Sequence, residues 1–282
     1  MGTSEGRLRC NGADLAYRMD GPAGRPILLF SNSLASDMSI WDDQVAAFKS
    51  DYRIVRYDMR GHGRSPVVDG PLTIDDLASD AIALIEQLAL GPVHFVAISL
   101  GGMLGQAVAA RRPDLLRSLT LSNTSSETDK PELWEPRIQT ALSTGMAPLV
   151  EPTLERWFTA PFRASQPQRV ETVRRMVAAT PPKGYAACAR AIQAMRQTAI
   201  LSKIVTPTLV IAGREDASTP VAAGERIARA IKGAEFIVVE QAAHITPIEQ
   251  ADKFNQHLRH FLAGAAKHSS SGAASGPAAA SS

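Results

Sequence analysis

The sequence predicts an α/β fold: a mostly parallel central sheet with helices on both faces and a helical insertion late in the sheet. Three observations carry that prediction. Short apolar runs of strand type alternate with helix-type segments up to residue 122 and again from residue 208 to 262, an order that calls for parallel strands joined by crossover helices. One apolar run, Val93 to Ile98, ends in small residues around Ser99 and passes directly into a helix-type stretch that stops before Pro113. Between residues 123 and 200 the alternation ceases, and helix-like pieces are cut by Pro131, Pro136, Pro148, Pro152, Pro161, Pro167, Pro181 and Pro182.

The elements follow in order. Arg7 to Asp20 reads as two short strands about Asn11-Gly12, a strong hairpin signal. Pro26 to Phe30 is a continuous apolar run, as expected of a strand buried on both faces, and the polar turn Ser31-Asn32-Ser33-Leu34 follows it. A short helix is expected over Trp41 to Lys49, a strand over Arg53 to Tyr57, and a turn dense in glycine and charge over Asp58 to Ser65. Thr73 caps a helix with an acidic first turn that continues through Leu88. After the Ser99 strand and helix, Leu116 to Ser122 is a further strand. Beyond the insertion come strand Thr208 to Ala212, helix Val221 to Ile231, strand Glu235 to Val239 and helix Ile248 to Leu262. The expected domain organisation is a core of residues 1–122 and 201–263, a helical cap of residues 123–200, and a disordered tail of residues 264–282, where Ala, Ser, Gly and Pro dominate.

Composition narrows the function classes. The 282 residues are 45% hydrophobic, enough for one large domain with an insertion. A net charge of +2 without basic runs gives no nucleic-acid surface. Cys10 and Cys188 match no metal-ligand spacing and no disulfide framework, and read as free thiols of a cytoplasmic protein. Met1 to Arg9 lacks the apolar stretch of a signal peptide, and no apolar run is long enough to span a membrane.

A serine raised on a sharp turn between strand and helix is a nucleophile elbow. Here the motif is Ala97-Ile98-Ser99-Leu100-Gly101, with Ala97 in the place of its usual first glycine. The turn aims the first N–H groups of the helix, led by that of Leu100, at negative charge developing beside Ser99. A serine nucleophile needs a base, and the base an orienting acid, each in a loop at a strand's C-terminal end. His244 follows strand Glu235 to Val239 and fits as base. Asp216 follows strand Thr208 to Ala212 and fits as acid; the adjacent Glu215 is its competitor. A second oxyanion donor normally comes from the loop after the third strand, which assigns the Leu34 amide.

These residues identify the chain as resembling the α/β-hydrolases, and within them the 3-oxoadipate enol-lactonases. The resemblance is carried by Ser31-Asn32-Ser33-Leu34 with Trp41-Asp42, by Arg56 to Ser65, and by Ser99-Leu100-Gly101-Gly102. It continues in Arg156-Trp157-Phe158-Thr159, Lys183-Gly184-Tyr185, Ala243-His244-Ile245 and Ile248 to Ala251. It implies the α/β-hydrolase fold and opening of the enol-lactone of 3-oxoadipate in bacterial aromatic catabolism, the β-ketoadipate pathway. It also implies a Ser99–Asp216–His244 triad, no metal and no organic cofactor. Ala97 and Ala35 stand where that family usually has glycine. The implied substrate carries a carboxylate, and the tryptophan–arginine pairs of the cap are where it would be held: Trp134 with Arg137, the choice by resemblance, and Trp157 beside Arg156. The expected partner is thus a small lactone or ester, with no nucleic acid and no membrane; oligomeric state is left open. A carboxylesterase or C–C bond hydrolase would use the same triad, and a non-catalytic small-molecule receptor is the remote alternative.

Overall fold

The computed structural model describes residues 2–271. Its eight strands are β1 (Ser4–Cys10), β2 (Ala13–Asp20), β3 (Ile27–Ser31), β4 (Arg53–Tyr57), β5 (Val93–Ile98), β6 (Leu116–Ser122), β7 (Thr208–Gly213) and β8 (Glu235–Val239). They form one sheet in the order β1-β2-β4-β3-β5-β6-β7-β8. β1 and β2 pair antiparallel across the Asn11-Gly12 turn, where both residues have positive φ (44° and 81°), as a type I′ hairpin requires. β2 runs antiparallel to β4, and every pairing from β4 to β8 is parallel. The expected α/β-hydrolase sheet is therefore present.

The chain goes outward from β3 to β4 and then returns past β3 to β5. This reversal leaves a crevice at the C-terminal ends of β3 and β5, the place where open parallel sheets put their sites. β5 is buried along its whole length, and ten of the twelve residues of α3 (Leu100–Arg111) are buried too. Helix α1 (Asp42–Phe48) packs with α11 (Ala251–Ser271), whereas α2 (Ile74–Gln87) packs with α3, and α9 (Val221–Ala230) packs on β7 and β8. Thr73 caps α2 through a capping box with Asp76.

Between β6 and β7 lie five helices: α4 (Trp134–Thr144), α5 (Ala147–Trp157), α6 (Ala160–Ser165), α7 (Pro167–Ala179) and α8 (Pro182–Ala194). The prolines do more than divide them. Pro148, Pro161, Pro167 and Pro182 sit in the first turns of α5 to α8, where the missing N–H costs nothing and the fixed φ favours a helix start. The two ends of the insertion meet in a single bridge between Glu127 and Arg196, with Gln197 N–H donating to Ser126 O (2.7 Å). Gln197 also donates to Met103 O (3.0 Å), which ties this neck to the helix after Ser99.

Two boundaries differ from the sequence reading. The helix expected over Ile248 to Leu262 is two, α10 (Thr246–Glu249) and α11, with Gln250 leaving helical geometry between them. The tail expected to be disordered from residue 264 instead begins as helix, because α11 continues to Ser271 and Ala265 is buried. Gly264 is one weak residue between Leu262-Ala263 and Ala265-Ala266-Lys267, all good helix formers. Residues 272–282 of that expected tail lie outside the described residues. Among the described residues no helix is long and apolar enough to cross a membrane, and Cys10 and Cys188 are buried free thiols.

Candidate active site

The turn after β5 holds Ser99 at φ 55°, ψ −118°, a conformation that costs a non-glycine residue about 1–3 kcal/mol. Its surroundings impose it. Ser99 N–H donates to Ser122 O (3.0 Å), Thr124 Oγ1 donates to Ser99 O (2.7 Å), and Gly101 N–H donates to Asn32 O (2.8 Å). Positions 101 and 102 call for glycine: a Cβ at Gly101 would overlap the Ser31 carbonyl, and one at Gly102 would lie 2.7 Å from Thr124 Cβ. Ala97 sits one residue before the strand ends, paired between Ser31 and Leu121 and fully buried. Its methyl is accommodated within the sheet.

Asn32 organises the loop after β3. Its Nδ2 donates to Tyr57 O (2.9 Å), its Oδ1 accepts from Trp41 Nε1 (3.0 Å), and its carbonyl takes the Gly101 N–H. One residue thus fixes the spacing between the Leu34 loop and the helix that begins with Leu100. Among the described residues neither the Leu34 nor the Leu100 N–H donates a hydrogen bond to an acceptor. Ala35 has φ 59°, which is the physical reason glycine suits this position.

Asp216 and His244 arrive on the loops after β7 and β8. His244 Nδ1 lies 2.8 Å from Asp216 Oδ2, with both side chains buried. Oδ1 of Asp216 accepts the Ser218 and Thr219 N–H groups (2.8 and 3.0 Å), and Oδ2 also accepts from Thr219 Oγ1 (2.7 Å) and Asn123 Nδ2 (3.0 Å). Burial by itself would raise this carboxyl. The charge and hydrogen bond of His244, with the Thr219 donors, outweigh burial and hold it below the ordinary aspartate value. Glu215, the competing carboxylate, is exposed. Among the other histidines, His62 and His94 are buried away from this cavity, and His94 bonds Ser118 Oγ at 2.8 Å.

Ser99, His244 and Leu34 share one cavity of about 310 Å³. The inserted helices supply its other wall through Trp134, Arg137, Arg156, Trp157 and Tyr185. Trp157 packs its ring 6.2 Å from that of His244, and its carbonyl accepts the Ile245 N–H (3.1 Å). Arg137 stacks over Trp134 at 5.2 Å, and Arg156 donates to Thr153 Oγ1 at 3.2 Å. Among the described residues neither arginine pairs with a carboxylate. Burial and then the neighbouring charge of Arg137 pull the Arg156 pKa down. Two further carboxylates at the wall, Glu127 and Asp129, are already matched by Arg226.

The sequence reading assigned no role to Asn123, Thr219 or Glu249, although Glu249 stands in the Ile248–Ala251 fragment. Glu249 is buried, accepts from Thr159 N–H (2.8 Å), Thr159 Oγ1 (2.6 Å) and Ala243 N–H (2.7 Å), and so joins the inserted helices to the residue before His244. Asn123 had one available signal: a polar residue directly after a buried strand, at the sheet edge that carries the site. Among the described residues no group of three His, Cys, Asp or Glu side chains is placed to hold a metal ion.

A sheet with this strand order, a strained serine at the end of β5, and a buried Asp–His pair after β7 and β8 define an α/β-hydrolase site. The family model of the alpha/beta hydrolase fold matches residues 26–251, and the chain belongs to that family. It is 36% identical over 248 residues to 3-oxoadipate enol-lactonase 2 of Acinetobacter baylyi, an alignment covering 88% of this chain and 92% of that one. The crystal structure of the enol-lactonase from Burkholderia xenovorans LB400 superposes with a TM-score of 0.89 at 37% identity, covering 92% of this chain and 100% of that one. A more distant relative, named "Putative carbamate hydrolase RutD" in Rhizobium rhizogenes, is 31% identical over 253 residues, 87% of this chain and 95% of its own.

Proposed function

We propose that the protein opens a small, carboxylate-bearing lactone, with 3-oxoadipate enol-lactone as substrate and 3-oxoadipate as product. The observation that carries this reading is a cavity with Ser99 and His244 on one wall, His244 backed by Asp216, and on the other two arginines that lack carboxylate partners among the described residues. The enol-lactonase relatives support the same choice.

In this mechanism Ser99 Oγ attacks the lactone carbonyl while His244 Nε2 takes its proton. Asp216, bonded to Nδ1, holds the ring in the tautomer that leaves Nε2 free, and stabilises the imidazolium that forms. The Leu34 and Leu100 N–H groups receive the oxyanion. The ring C–O bond breaks, His244 protonates the departing enol oxygen, and the enol becomes the ketone of the product. Water, deprotonated by His244, then releases the acyl group from Ser99.

The test is turnover of the enol-lactone and of p-nitrophenyl acetate by wild type and Ser99→Ala. The substitution should lower kcat for both by about 10⁴-fold or more with folding unchanged. A folded S99A protein at wild-type rate would overturn the serine mechanism. Wild-type turnover of the neutral ester with none of the lactone would make the protein a carboxylesterase.

A further inference from the structure

We propose that Asn123 is a positioning residue of this site, fixing the Asp216 carboxylate in its charged form against His244; the inference rests on the triad reading above. Asn123 follows β6, is buried, and has φ 45°. Asparagine tolerates that left-handed conformation far better than bulky or β-branched residues do.

The amide orientation is settled by its neighbours. Asn123 Nδ2 lies 3.0 Å from Asp216 Oδ2 and 3.1 Å from Ala243 O, and both of these groups only accept. The other end, Oδ1, accepts the Ser122 hydroxyl at 2.7 Å. Turning the amide over would set its oxygen against a carboxylate and a carbonyl, so the NH₂ must face Asp216. Its two donors therefore join the end of β6 to the acid loop after β7 and to the residue preceding His244 after β8.

The other donors to Asp216 have different origins. Ser218 and Thr219 lie on the acid's own loop, and His244 is the group being oriented. Asn123 is the donor that reaches Asp216 from a separate strand end. A fixed donor on Oδ2 lowers the basicity of the same oxygen that faces Nδ1. The proton then stays on His244 while the imidazolium forms. Among the described residues the titratable groups bonded within this cluster are Asp216 and His244; Ser122, Ser218, Thr219 and Ala243 complete it with neutral groups.

Two variants separate positioning from support of the fold. Asn123→Gly suits the positive φ and removes the donor. Its kcat on p-nitrophenyl acetate and on the enol-lactone should fall about 10- to 100-fold, with KM within about twofold and the thermal midpoint lowered by no more than a few degrees. Asn123→Asp keeps the size. At acid pH the introduced carboxyl is protonated and donates to Asp216 as the amide did. As it ionises, two carboxylates face each other, so the ratio of variant to wild-type kcat should fall with rising pH. N123G at wild-type kcat overturns the proposal. So does a loss of kcat with a larger fall in midpoint in N123G alongside a pH-independent ratio in N123D. Asp216→Asn, run in parallel, separates the two levels of inference. A D216N loss of about 10³-fold or more beside an unaffected N123G would remove the role of Asn123 alone, whereas D216N at wild-type rate would remove the triad reading.

Discussion

Gly184 lies backbone to backbone on Gly61. A Cβ at Gly184 would overlap the Gly61 carbonyl, and one at Gly61 would lie 2.6 Å from Gly184 Cα. Gly61 belongs to the turn after β4 and Gly184 to the first turn of α8, which carries Tyr185 into the cavity. The contact sets the height of α8 over the sheet. Gly184→Ala must push the two backbones apart, at a cost of about 1–3 kcal/mol in stability. Moving Tyr185 away from the reacting groups should lower kcat/KM by about tenfold or more. Urea unfolding and steady-state kinetics on one preparation check both. Wild-type values in each would show that α8 adjusts freely and that the glycine contact does not set the cavity.

Asp58 offers a stability prediction with a definite sign. It is buried in the turn after β4, where it accepts the Met38 and Arg64 N–H groups at 2.7 and 2.8 Å. Burial pushes its carboxyl up to about 6, against the opposing effect of those two donors. Between about pH 4 and pH 6 the folded protein therefore keeps a proton that the unfolded chain has released. The contribution of Asp58 to stability is greatest at the acid end of this window. It declines as pH rises through it, by about 3 kcal/mol in total. Asn cannot titrate, so the stability of Asp58→Asn relative to wild type should improve by roughly that amount between pH 4 and pH 7. Urea unfolding at the two pH values measures it. Parallel pH dependences in the two proteins would show that Asp58 titrates normally.

What could be read from the chain, and what could not, divides along a physical line. Ser99, Asp216 and His244 were legible because each follows an apolar strand, and an open parallel sheet brings consecutive strand ends to one edge. The structure places Ser99 and His244 on one cavity and Asp216 against His244, and it leaves Glu215 exposed. The roles of Asn123 and Glu249 were not legible, although Glu249 was visible as part of a motif. Their partners, Asp216 and Ala243 for one, Thr159 and Ala243 for the other, lie on loops that meet only in three dimensions. Gly184 was visible as part of a motif, but the backbone it presses on is more than a hundred residues away. The insertion was legible as helical from its missing strands. Of the prolines read as breaks, Pro148, Pro161, Pro167 and Pro182 open helices and Pro152 lies inside α5, since a proline tolerated at a first turn and a proline ending a helix look alike in sequence.

The wall opposite Ser99 gives the sharpest test of substrate class. Arg137 and Arg156 both line the cavity, without carboxylate partners among the described residues, and the charge of Arg137 acts on Arg156. Two half-buried cations lining one cavity raise the cost of an empty site, and an anionic ligand relieves it. Arg137 stacks on Trp134 at 5.2 Å, which holds its guanidinium while leaving its N–H edge free to grip both oxygens of a carboxylate. Arg156 already spends one N–H on Thr153 Oγ1, so Arg137 is the better placed reader. Arg137→Ala should raise KM for the anionic enol-lactone about 10- to 100-fold, the worth of a charge-assisted hydrogen bond. A neutral ester of similar size should change by less than about threefold, because the serine and its base are untouched. Measuring kcat and KM for both substrates in wild type and R137A decides the matter. Equal losses on the two would assign Arg137 to holding the inserted helices in place. No loss on either would remove it from substrate binding and leave Arg156→Ala as the variant that must carry the charge preference.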